Sequence, residues 1–252
     1  ERLAGQTRDR QGGVTQRAKD GGQAMRETHR RAPTPWEAFQ IRVRTSAEAT
    51  VRVVVLAGVL LPFLAIAFLT LDRPVATFDV FSVEEDYLNP SAWLTQGQLW
   101  MMASLLVVIL ASRRYGDAYA TSQLMLAWGA AAVLLAAGLS YLAPQLEASD
   151  LPPVRFVATF VAAWMMAQFA CVTMFELTRA VKWWRAPLFG ALFGSAVFCV
   201  IYFPFLYSGS KLPWLNWMVT DFAIKAGLAF VFLAPYAMLR GVVPPRPGLG
   251  GR

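Results

Sequence analysis

Six stretches of this chain run on with almost no charge: about Val53–Leu71, Leu94–Ala111, Leu124–Ala143, Val157–Leu177, Ala186–Leu206 and Leu215–Leu239. A helix rises about 1.5 Å per residue, so roughly 20 apolar residues cross a bilayer's hydrocarbon core. Lipid offers no hydrogen bonds, so backbone inside it must pair with itself, and each stretch is expected to be helical. Short connections favour antiparallel neighbours. The expected fold is an all-α integral membrane protein, a compact bundle of six transmembrane helices. Composition agrees, since 15% of the residues are charged against about 25% in soluble domains.

Charge placement then orients the bundle, because cytoplasmic loops of membrane proteins carry an excess of Lys and Arg. Eleven Lys and Arg precede the first span, up to Arg52. Arg113 and Arg114 follow the second span, Arg179, Lys182 and Arg185 the fourth, and Arg240, Arg246 and Arg252 the sixth. The opposite side holds Arg73, Arg155, Lys211 and the acidic loop FDVFSVEEDYLNP (Phe78–Pro90). Both termini are therefore expected in the cytoplasm, with the chain in a bacterial cytoplasmic (inner) membrane. The expected division is a basic polar extension over 1–46, the six-helix domain over 47–240 and a short tail over 241–252. The extension opens on a polar, Arg-rich stretch, so no cleavable signal peptide is expected. It has too few aliphatic residues to fold alone. It either rests on the anionic leaflet through its positive charge or orders against a partner, with Trp36 and Phe39 as interfacial anchors. Nucleic acid is not expected as a partner.

An ionisable group within a membrane span marks a site hypothesis, because burying it costs a few kcal/mol or more. WMVTDFAIKAG (Trp217–Gly227) places Asp221 and Lys225 four residues apart on one helix face, acid first, the favourable order. Gln168 lies deep in the fourth span, Glu176 closes that span, and Gln96 and Gln98 open the second. Thr173, Ser195 and Tyr202 are the other deep polar candidates. GALFG (Gly190–Gly194), followed by Ser195, is a small-residue motif for close helix packing. Trp183 and Trp184, beside Lys182 and Arg185, suit the membrane interface. The single histidine, His29, is in the extension, and Cys171 and Cys199 form no CxxC. Neither a metal nor a cofactor is expected, and no catalytic constellation argues for an enzyme.

These residues resemble a known family. The stretch AQFACVTMFELTRAVKWWRAPLFGALFGSAVFCVIYF (Ala167–Phe203), then WMVTDFAIKAGLAFVFLAP (Trp217–Pro235), is similar to the queuosine precursor transporters, also called vitamin uptake transporters. The shared features are the Ala167–Gln168 pair, the WWxAP entry at Trp183–Pro187, and the DxxxK of Asp221 and Lys225 with Pro235 ten residues on. WLTQGQLWMMASLLVVILASRRYG (Trp93–Gly116) fits the family's second-helix block. The resemblance covers roughly residues 90–240 and leaves the extension outside.

The resemblance implies a six-helix carrier for deazapurine precursors of a tRNA base, with Asp221, Lys225, Gln168 and Glu176 as substrate-binding residues. Three positions depart from it: Ile109, Cys171 and Phe198 stand where the family usually carries aspartates. Each polar solute group left unpaired costs about 1–3 kcal/mol. This points first to a transport-inactive relative serving as an accessory or scaffolding subunit of a larger membrane complex, of respiratory or photosynthetic type. Its partners would be other membrane subunits and the bilayer. The alternative is a working carrier for a queuosine precursor or similar small heteroaromatic compound. A binding subunit driven by a separate ATPase is a third option.

Overall fold

The computed structural model describes residues 34–77, 89–142, 152–179 and 182–245. Residues 1–33 with His29, the acidic run 78–88, and Arg246 and Arg252 lie outside the described residues. The chain divides into two units, Glu1–Thr50 and Val51–Arg252. The described residues form helices with no strand; one isolated bridge pairs Pro74 with Thr95. The helices are α1 (Pro35–Leu69), α2 (Gln96–Tyr115), α3 (Asp117–Leu142), α4 (Val154–Leu177), α5 (Arg185–Tyr207), α6 (Trp214–Val231) and α7 (Leu233–Val242), with a short 3-10 turn at Pro90–Ala92. Five are long and apolar enough to cross a membrane, taking α6 and α7 as one span, Trp214–Val242. The protein is a multi-pass membrane protein.

The second expected span, α2, is not among those five. Gln96, Gln98, Ser104, Ser112 and the closing Arg113 and Arg114 lower its hydropathy. Burial explains why the helix tolerates them. Gln98, Ser104 and Ser112 are all fully buried, so α2 turns these three inward, while Gln96 at its start is exposed.

Helix α1 starts earlier than hydropathy indicates, inside the segment expected as extension. The sequence TPWE explains the start. Thr34 Oγ1 accepts from the Glu37 backbone N–H at 3.3 Å, and a Glu37 carboxylate oxygen accepts from the Thr34 N–H at 2.8 Å. Pro35 sits at the first helical position, where no N–H is needed. Thr34→Ala is expected to cost this helix end about 1 kcal/mol, seen as faster amide exchange over residues 36–38 with no change beyond Val51. Unchanged exchange there would show that the reciprocal bonds do not hold the end. Within the second unit α1 buries the stripe Ala57, Leu60, Leu64 and Ala67 and leaves Val51, Val54, Val55 and Val59 exposed. Such a helix is packed on one face only.

The last span is interrupted at Phe232, between α6 and α7. Pro235 lacks the N–H that would reach Val231, and its ring crowds that carbonyl, so the helix restarts with the proline in its first turn. Gly116 makes the sharp turn between α2 and α3 with φ 93°, a conformation that side chains disfavour.

The most extensive helix contact joins α4 to α5. The GxxxG motif carries it. A Cβ built on Gly194 would lie 2.8 Å from the Ala167 carbonyl oxygen, and one on Gly190 would lie 3.1 Å from that of Cys171. Glycine lets the two backbones meet. Gly97 does the same between α2 and α1, where a Cβ would lie 2.4 Å from the Ala67 oxygen.

Candidate functional site: a charged centre among α2, α5 and α6

Asp221 and Lys225 project from the inner face of α6, and both are 0% exposed. They form an ion pair between Lys225 Nζ and Asp221 Oδ2. Sequence spacing predicts this much. Two further partners come from elsewhere in the chain. Lys225 Nζ donates to Gln98 Oε1 on α2 at 2.8 Å. The Cys199 thiol on α5 donates to Asp221 Oδ2 at 3.3 Å. Gln98 is itself held, since its Nε2 donates to the Trp93 carbonyl at 3.1 Å.

Aromatic rings wall the centre. The ammonium lies 4.4 Å from the Phe198 ring centre and 5.8 Å from that of Trp164. Phe198 continues the wall through Trp164 at 4.4 Å and Tyr202 at 4.8 Å between centroids. The Tyr202 hydroxyl lies near Gln98 and Tyr207. Trp93 and Trp217 stack at 5.4 Å, with Tyr207 edge-on to Trp217. A cation over such faces gains about 2 kcal/mol or more when desolvated. Phe198 thus gives the lysine a ring face.

Among the described residues the buried hydrogen bonding does not balance. Asp221 Oδ1 has no partner among the described residues, and neither do the indole nitrogens of Trp164 and Trp93. Leaving such a group unpaired costs about 1–3 kcal/mol. The centre therefore holds one open acceptor on a charged group, beside neutral open donors.

The other expected site residues do not gather here. Gln168 belongs to a second buried cluster: its Oε1 accepts from Trp128 Nε1 at 2.7 Å, and its Nε2 donates to Ser104 Oγ at 2.8 Å. That ties α4 to α3 and α2, and both ends of the amide are used. Glu176 sits at the end of α4, where it accepts from Ser112 Oγ and pairs with Arg179 at 3.1 Å. Arg179 also donates to the Ser112 carbonyl at 2.7 Å, so this network closes α4 against α2. Thr173 and Ser195 bond backward to their own helices, at Phe169 and Ala191. Cys171 packs under the glycines of α5. Ile109 is buried beside Pro187, Ala191 and Tyr236.

Trp183 and Trp184 open α5 with different surroundings. Trp183 stacks on Tyr236 of α7 at 6.4 Å and carries the Arg240 guanidinium at 5.0 Å. Trp184 is the residue before the helix and is half-buried. Arg113 reaches the same region, donating to the Tyr236 hydroxyl at 3.3 Å and to the Val243 carbonyl at 3.2 Å.

Gln98 and Cys199 are the members of the centre that spacing does not single out. A glutamine opening an apolar run is a usable signal, but its partner Lys225 lies 127 residues away. Comparison with protein-family models, with characterised proteins and with solved structures finds no match to this chain.

Proposed function

We propose that this protein is a solute carrier of the bacterial cytoplasmic membrane, with α2 as a sixth crossing and both termini cytoplasmic, and that Asp221, Lys225 and Gln98 form its binding centre. One observation carries the reading: Asp221 is fully buried and one of its carboxylate oxygens has no partner among the described residues. A buried ion pair is weak support for a fold, because well-packed apolar residues often serve as well or better. Groups from three helices converging beside aromatic faces form the kind of setting in which small molecules bind. The resemblance to queuosine precursor transporters suggests a compact heteroaromatic solute. The test is accumulation of a labelled deazapurine precursor in cells lacking their own carrier. Wild type is expected to restore uptake, and Asp221→Leu together with Lys225→Leu to abolish it. Equal accumulation with the wild type, the double variant and an empty vector would remove the reading for that solute.

A second reading is supported by Phe198, whose ring covers the ammonium, and by Gln168, whose amide is bonded to neighbours at both ends. In it the chain is a transport-inactive accessory subunit that holds other membrane subunits, with the N-terminal extension as a docking arm. Gentle detergent extraction separates the two. Recovery with stoichiometric membrane partners and no uptake favours the subunit; recovery alone with uptake favours the carrier.

A further inference from the structure

We infer that the solute of this centre binds as a hydrogen-bond donor to Asp221, so that it is a neutral or cationic N–H compound and not an anion, while Lys225 serves as an internal counter-ion. The inference rests on the carrier reading and adds the chemistry of what is carried. An ammonium has three donors and no acceptor. Two of the three on Lys225 go to Asp221 Oδ2 and Gln98 Oε1, and the ammonium faces the Phe198 ring at 4.4 Å. Gln98 cannot be turned over without loss. Its Nε2 holds the Trp93 carbonyl, and a reversed amide would set donors against the ammonium and an oxygen against that carbonyl.

Asp221 stands in the opposite condition. Its Oδ2 receives both Lys225 and the Cys199 thiol, yet Oδ1 receives nothing from the described residues. The unused capacity on the charged pair is therefore an acceptor with negative charge. An anion would meet that oxygen and a lysine already engaged, and like charges in a low-dielectric interior repel strongly. An N–H donor completes the carboxylate. The Trp164 indole N–H, without a partner among the described residues, is a neutral donor on the ring 5.8 Å from the ammonium.

The experiment uses the full chain in lipid nanodiscs and titration calorimetry with three small probes: indole, benzofuran and benzoate. Indole and benzofuran share shape and differ in an N–H against an oxygen, and benzoate is an aromatic anion. Indole is expected to bind roughly tenfold more tightly than benzofuran, the effect of one satisfied buried group, and benzoate is expected not to compete. Gln98→Leu releases one lysine donor and is expected to admit benzoate. If benzofuran equals indole, or benzoate matches indole in the wild type, the donor inference fails while a binding centre stands. If none of the three binds and precursor uptake is absent, the carrier reading fails as well. The wild-type ratio decides even where Gln98→Leu does not fold.

Discussion

Lys225→Leu alone is expected to destabilise the bundle by about 3–5 kcal/mol, the cost of leaving a buried partner charge uncompensated. Among the described residues, Asp221 would keep only the Cys199 thiol as a donor, inside an apolar shell. Asp221→Leu alone should cost a similar amount, because the ammonium would keep only the Gln98 oxygen and the rings. The double variant Asp221→Leu with Lys225→Leu is expected to recover most of the loss, since two leucines have no desolvation cost and fit an apolar surround. Thermal unfolding in detergent, compared across the four proteins, measures this. The double variant also separates stability from function: it should fold and yet fail to accumulate solute. A double variant as unstable as either single one would mean that Gln98 and Cys199 depend on the charges for their own placement.

The second large effect lies at the α4–α5 contact. Gly194→Ala places a methyl 2.8 Å from the Ala167 carbonyl oxygen and 3.1 Å from Cys171 Cβ, against backbone that cannot step aside. Overpacking of this kind costs about 1–3 kcal/mol. A larger residue such as Gly194→Leu should separate the helices and prevent stable folding. Gly129 and Gly227 provide the control. A Cβ on either meets nothing within 4 Å, so Gly129→Ala and Gly227→Ala should be neutral or slightly stabilising through better helix propensity. The same methyl is thus expected to destabilise at Gly194 and not at Gly129 or Gly227, and a common drop in melting temperature for all three would overturn the packing account.

Hydropathy located the apolar spans but not the helix ends, because it reports where side chains can meet lipid. Helix α1 reaches back to Pro35 through polar residues, held by the Thr34–Glu37 cap, which hydropathy does not register. Helix α3 begins at Asp117, seven residues before its apolar run, since polar side chains are tolerated where a helix leaves the hydrocarbon. The break at Phe232 falls inside what hydropathy treats as one run, and Pro235 in the first turn of α7 accounts for it. Gln168 illustrates the reverse. As a lone amide in an apolar helix it was a fair solute contact, but Trp128 and Ser104 occupy both of its ends, and only assembly of three helices reveals that.

Sequence alone determined the all-helical, multi-pass character of the chain and the Asp221–Lys225 pairing. Both follow from local rules, the apolar length needed to cross lipid and the 3.6-residue turn that sets i and i+4 side by side. Tertiary structure decided what the pair does. It brought Gln98 across from α2 to engage the lysine, set the Phe198 ring over the ammonium, and left Asp221 Oδ1 open. Those relations depend on distances between helices far apart in the chain, and no periodicity within one helix encodes them.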